Sequence, residues 1–167
     1  ISSSIDEKVR TESTIWLARI YNETGNYNES FRILNLLDPN VNFTTEMKGL
    51  FHTTLADLFV KQKRYGDAID PLLKGLEDIS EKRNRYRLTY ILAQLYEKTG
   101  DRASATTYYR KVTNMNPPYE FEFNARINLA GVFDVNSGDS QSIKKELEKM
   151  LKSSKNKEFQ DQIYFAL

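Results

Sequence analysis

The sequence predicts an all-α solenoid of antiparallel helix pairs, and three observations predict it. Leu17-Ala18, Leu55-Ala56, Leu92-Ala93, Leu129-Ala130 and a final Leu167 recur at gaps of 38, 37, 37 and 38 residues. An aromatic follows each complete pair at the same offset: Tyr21, Phe59, Tyr96 and Phe133. Turn residues punctuate each repeat, and no segment carries a convincing strand pattern. A fixed period of roughly 20–50 residues marks a supersecondary unit that cannot bury its apolar face alone, so neighbours stack into one core.

The elements follow in order. Ser4-Ile5-Asp6-Glu7 reads as a capping box, with Ser4 accepting from the third helical N–H and Glu7 reaching back. Val9, Ile15, Leu17, Ala18, Ile20 and Tyr21 then fit one helix, stopped at Gly25, which takes the left-handed conformation without strain. Asn26-Tyr27 turns the chain. Phe31, Ile33, Leu34, Leu36 and Leu37 make a shorter helix ending by Pro39. The second pair spans about 45–62 and 65–79, with a turn at Lys63-Arg64. Pro71 lies inside its short helix and is tolerated only near a first turn or at a kink. The third pair spans about 81–99 and onward to Met115, with a stop at Gly100-Asp101. Asn116-Pro117-Pro118 breaks the chain and opens the next helix. The fourth pair spans about 118–135 and onward to Lys152, with a turn at Ser137-Gly138-Asp139. A fifth long helix starts near Lys157 after the linker Ser153-Ser154-Lys155-Asn156. The chain thus divides into units of about 5–43, 44–80, 81–117, 118–154 and a truncated 155–167, one repeat domain in all.

Composition narrows the function. The 24 basic and 23 acidic residues leave a net charge of +1, which argues against a nucleic-acid footprint. Without cysteine there is no disulfide, thiol catalysis or thiolate metal site, and the compartment stays open. No apolar run is long enough to span a membrane. Beginning at Ile1 and stopping inside a repeat, the sequence reads as a piece of a longer protein.

These units resemble tetratricopeptide repeats. The first unit reads Leu17-Ala18-x-x-Tyr21, Gly25-Asn26-Tyr27, Ser30 and Leu34. The second reads Leu55-Ala56-x-x-Phe59, Tyr65, Ala68, Leu72 and Gly75. The third is nearest the family pattern, with Leu92-Ala93-x-x-Tyr96, Gly100-Asp101, Ala105, Tyr109, Val112 and Pro117. The period is 37–38 residues rather than the family's 34. Lys63 replaces the turn glycine. The fourth unit puts Ile143 and Met150 at small-residue positions, so its helices are expected to pack further apart or to be angled differently. The resemblance implies a right-handed superhelix whose first helices line a concave face. More narrowly, the long period and the segment 156–167 are similar to the large repeat lipoproteins of Bacteroidetes linked to type IX secretion and gliding. That likeness implies a periplasmic, envelope setting; otherwise the chain suits the cytoplasm.

Chemical motifs are few. His52 is the single histidine, at a position where repeats usually place a packing residue. Asp38-Pro39-Asn40-Val41-Asn42 and Asp134-Val135-Asn136-Ser137-Gly138-Asp139 look faintly like calcium loops. Each lacks the twelfth-position glutamate, with Gly49 and Lys145 there instead. There is no phosphate loop, zinc-protease motif or nucleophile elbow. The run Lys82-Arg83-Asn84-Arg85-Tyr86-Arg87 reads as a helix start whose charges pair with neighbouring acids. No catalytic residue, cofactor site or metal site is expected, and the chain is read as no enzyme.

The family pattern sets the inward positions at Glu12, Ile15, Trp16, Arg19 and Asn22, then Thr53, Thr54, Asp57 and Val60. They continue with Arg87, Tyr90, Ile91, Gln94 and Glu97, then Asn124, Ile127, Asn128 and Gly131. Trp16, Arg19, Thr53, Asp57, Arg87, Tyr90, Gln94, Ile127 and Asn128 are the expected partner-binding residues, since Trp, Tyr and Arg dominate binding hot spots. Trp16 and Tyr90 have an equally good alternative as packing between repeats. Ile15, Arg19, Thr53, Asp57, Tyr90 and Gln94 stand where a carboxylate clamp needs Lys and Asn, so a chaperone-type acidic tail is not expected to bind. The expected function is a non-catalytic scaffold that binds a peptide segment or helix of another protein. The alternative is a regulatory or substrate-recruiting domain of a larger enzyme or envelope secretion machine. Neither edge has a polar capping helix, so both ends are expected to dock on neighbouring repeats or a partner chain. Base reading by helical repeats does not fit Ile15, Thr53, Tyr90 and Ile127.

Overall fold

The computed structural model describes residues 2–133 and 140–167. Among them the chain is all-α, a helical repeat without a strand. The expected turn and calcium-like loop at 134–139 lie outside the described residues. The chain divides into two compact units, residues 1–88 and 89–167.

In the first unit, α1 (Ser2–Glu23) pairs with α2 (Tyr27–Leu34), and α3 (Thr45–Lys61) pairs with α4 (Tyr65–Asp78). Helix α5 (Lys82–Lys98) begins here and ends in the second unit. Small residues allow the close approach: Ala18 and Ser30 between α1 and α2, Ala56 and Ala68 between α3 and α4, all buried. Ser30 donates its hydroxyl to the Ala18 carbonyl at 3.1 Å, so its polar group is satisfied in the interior. At Gly75 the helices come closer still: a Cβ there would lie 2.9 Å from the Thr53 methyl. Ile15, Ala18, Ile33, Leu34, Phe51 and Leu58 form the core of this unit.

The turns of the first three pairs share one backbone solution. Asn26, Arg64 and Asp101 donate their N–H to the carbonyls of Tyr21, Phe59 and Tyr96 at 2.8, 2.9 and 2.9 Å. The residue before each is left-handed: Gly25 at φ 77°, Lys63 at φ 60° and Gly100 at φ 83°. This is the six-to-one bond of a helix ending in a left-handed residue. Lys63 adopts it against its Cβ, which costs roughly 1 kcal/mol relative to glycine.

The second unit holds the rest of α5, then α6 (Arg102–Asn114), α7 (Tyr119–Val132), α8 (Ser140–Lys152), a 3-10 segment (Ser154–Phe159) and α9 (Gln160–Ala166). Asp101 caps α6, accepting from the Ser104 N–H at 3.0 Å. Left-handed Asn116 and two prolines separate α6 from α7. Helix α7 packs broadly on α6, and Ile143 and Leu147 of α8 join its Leu129 and Val132 in one buried cluster. Tyr109, Val112, Phe123, Leu129, Leu147 and Ile163 lie at the centre of its core.

Several boundaries differ from expectation. Helix α1 already runs at Ser2, so Ser4 is not its N-cap; Glu7 instead accepts from the Asn42 amide at 3.3 Å. Helix α2 ends at Leu34. Leu36 and Leu37 follow in tight turns, bonded to the Ile33 and Leu34 carbonyls, because Pro39 cannot continue a helix. Pro71 is the seventh residue of α4, which continues through it. The last α-helix starts at Gln160 rather than Lys157, after the 3-10 segment.

Candidate functional site

The expected inward residues fall into two groups, one in each unit. In the first unit, Trp16 is 47% exposed and carries the Arg19 guanidinium over its ring, 4.8 Å from the centroid. Ile15, also expected to face inward, is fully buried, because the Ile33 and Leu34 stripe of α2 closes over it. Asn22 is buried as well. Its amide donates to the Thr54 carbonyl and to the Asp57 carboxylate, both at 3.0 Å, and so ties α1 to α3. Its own Oδ1 is buried with no hydrogen-bond partner among the described residues.

Burial raises the Asp57 carboxyl above the ordinary range, and the Asn22 bond and nearby Lys61 oppose that shift. Thr53 turns its hydroxyl back to the Gly49 and Leu50 carbonyls at 2.7 and 3.1 Å, leaving only its methyl to neighbours. Arg87 is exposed. In the basic run before it, Arg85 donates to the Leu76 and Ile79 carbonyls at 3.0 and 2.7 Å and so caps the end of α4.

In the second unit, Tyr90 packs edge-to-face on Tyr109 and Phe121 at 5.7 and 5.9 Å. The Asn128 amide donates to the Tyr90 hydroxyl at 2.8 Å and to the Tyr109 hydroxyl at 3.3 Å. Tyr109 in turn donates to the Glu97 carboxylate at 2.6 Å. Burial, and the Glu97 charge after it, push the Tyr109 hydroxyl far above its ordinary range, so it is a fixed donor. Tyr90 and Asn128 are therefore joined to structure as well as half-exposed. Ile127 packs on the core cluster, while Gln94 is half-buried.

Two cavities lie away from these groups. One of about 500 Å³ runs along α3 and α4, over Phe51, Leu55, Phe59 and Pro71. His52 lines it, and burial lowers its pKa, so the ring is neutral at pH 7. The other, about 400 Å³, lies between α7, α8 and the 3-10 segment, with Phe123 and Met150 below and Lys149 and Lys155 at its rim. Sequence reasoning missed it; the lysine-rich turns of α8 are its only trace in the sequence. No three of His, Asp and Glu converge as a metal site among the described residues. No helix of the described residues is long and apolar enough to cross a membrane.

A tetratricopeptide repeat is found at residues 86–119, which take in α5 from Tyr86, all of α6 and the first residue of α7. Repeats of this kind generally mediate protein–protein interactions. The match carries no support for the likeness to the envelope lipoproteins. No curated protein matches the chain.

Proposed function

We propose that the chain is a non-catalytic scaffold whose first helices bind a peptide segment or helix of another protein. The observation that carries this reading is the exposed Trp16 with Arg19 stacked on it. A tryptophan half open to water on a rigid helix holds large apolar area ready for burial, and Trp and Arg are the residues on which interfaces concentrate their energy. Gln94 adds an amide that makes no hydrogen bond among the described residues, suited to a peptide backbone. The likeness of the long period and of residues 156–167 to envelope lipoproteins suggests a periplasmic setting.

Affinity capture from native extract tests the reading, with the chain beside its Trp16→Ala, Gln94→Ala variant, both shown by circular dichroism to fold. A protein held by the parent and released by the variant supports it. Equal capture by both moves the interface off these helices, and no capture at all refutes the reading.

A further inference from the structure

Positive charge gathers on α8 and the linker after it. Residues 140–157 hold six lysines against two glutamates, a net +4 in a chain whose total is +1. Lys145, Lys149 and Lys152 stand at i, i+4 and i+7, on the side of α8 opposite the buried Ile143 and Leu147. All three are exposed, and so is Lys155 in the linker. None of the four joins an ion pair among the described residues. The helix dipole favours lysines in a last turn, which accounts for Lys149 and Lys152 but not for Lys145 or Lys155. Burying an unpaired ammonium is costly, so this is a face for water or for an acidic partner rather than for a further packed helix.

At the C-terminal end of the stripe lies the cavity of about 400 Å³, with Lys149 and Lys155 at its rim. Its floor is apolar, made by Phe123 and Met150 with the Tyr119 ring beside them. Its wall is held in place. Asn156, 4% exposed, donates its amide to the Met150 carbonyl at 2.6 Å and accepts from the Tyr119 hydroxyl, so the linker is tied to both helices. The carboxylates that line the cavity, Glu122 and Glu146, are both taken by Arg126, at 3.0 and 2.7 Å. The lysines are left without an acid to answer them. None of the expected inward residues of the fourth repeat, Asn124, Ile127, Asn128 and Gly131, lines this cavity.

An apolar hollow beside uncompensated ammonium groups asks for a ligand that is both apolar and acidic. We propose that the α8 stripe and this cavity together dock an acidic segment of a partner protein. One large apolar side chain of that segment sits on Tyr119, Phe123 and Met150, and its carboxylates meet Lys145, Lys149, Lys152 and Lys155. From Lys145 to Lys152 the helix rises roughly 10 Å, which an extended chain covers in about three residues. Acidic residues within three places of the apolar anchor therefore reach the whole stripe. The phosphates of a nucleic acid would answer the lysines and leave the apolar floor unused. The surface shares no residue with the Trp16, Arg19 and Gln94 reading, and neither reading needs the other.

Met47, Met115 and Met150 are the only methionines, so methyl labelling gives one reporter in the cavity and two controls. The probes are three capped heptapeptides of aspartate and glutamate, with a single phenylalanine at the second, fourth or sixth place. The expected result is a saturable shift of the Met150 methyl NMR signal with at least one of them, while the Met47 and Met115 signals stay still. Alanine in place of the phenylalanine should weaken binding severalfold and leave Met150 unmoved. Lys145→Glu with Lys149→Glu should weaken it at least tenfold with unchanged circular dichroism. If that variant loses helix, Lys149→Ala with Lys155→Ala is judged in its place by a severalfold loss. No shift of Met150 at millimolar peptide overturns the proposal, as does equal binding of the alanine peptide or equal binding by the lysine variants. An oligothymidylate that shifts Met150 and binds more tightly than every peptide overturns it in favour of a nucleic acid.

Discussion

Gly75→Ala should destabilise the protein when Thr53 is present and stabilise it when Thr53 is trimmed to serine. The new methyl would sit 2.9 Å from the Thr53 Cγ2, with the Thr53 backbone nitrogen at 3.4 Å and the His52 Cβ at 3.5 Å. Only the first contact is prohibitive. Thr53 cannot rotate away cheaply, because its hydroxyl is held by the Gly49 and Leu50 carbonyls. Overpacking of this kind costs about 1–3 kcal/mol. Against it stands the gain of alanine over glycine inside a helix, roughly 0.5–1 kcal/mol. The net is a loss of about 0–2.5 kcal/mol, or a few degrees in Tm at roughly 2–4 °C per kcal/mol for a chain of this size. Serine keeps the hydroxyl bonds and lacks the methyl, so in the Thr53→Ser background Gly75→Ala should gain about 0.5–1 kcal/mol. Urea unfolding of the four proteins, followed by circular dichroism, reads the cycle. Equal effects of Gly75→Ala in both backgrounds, or stabilisation beside Thr53, would refute the argument that the methyl sets the α3–α4 distance.

Other perturbations follow from the same geometry. Asn22→Ala removes two hydrogen bonds between α1 and α3 and should cost about 1–2 kcal/mol, measured as a lower urea midpoint with an unchanged slope. Tyr109→Phe deletes the donor to Glu97 while Asn128 keeps Tyr90; a loss of about 1–2 kcal/mol is expected by the same assay, because Glu97 can turn to water. Lys63→Gly relieves the left-handed lysine and should raise stability by about 0.5–1 kcal/mol, whereas Gly100→Lys should lower it. For Asp57 the folded pKa is raised by burial, so its contribution is full below the unfolded value of 3.8 and is lost as pH rises through the folded value. Asp57→Asn keeps an acceptor for Asn22 without the charge. The variant should therefore gain on the parent between pH 3.8 and 7, and a gap that shrinks as pH rises would contradict the sign.

Much of the architecture was legible because it rests on repetition. The Leu-Ala echo located three successive helix pairs, and the small residues Ala18, Ala56, Ala68, Ala93 and Ala105, expected to let paired helices approach closely, are all buried. The site was less legible. Ile15 was read as inward from the family pattern, but burial depends on which helix closes over it, and that is Ile33 and Leu34 of α2. Tyr109 looked like a packing landmark, and its bond to Glu97 is visible only once α5 and α6 are side by side. Leu36 and Leu37 fit a helical pattern that the chain abandons before Pro39. Apolar spacing marks the face a helix prefers and says little of where the backbone leaves it. Trp16 was expected either on a concave face or packed between repeats; its counterparts Thr54 and Asn128 both touch the preceding helix pair.

The helix contacts of each unit join elements adjacent or next-but-one in sequence: α1 with α2 and α3, α6 with α7, α7 with α9. No long loop has to close before the first pair forms, so the entropic barrier to folding is low and the topology favours rapid folding. The three turns at Gly25, Lys63 and Gly100 are then natural starting points, since each fixes two helices with a bond only five residues long. During synthesis a finished pair already exposes the surface on which the next one condenses, and the order of assembly is the order of translation.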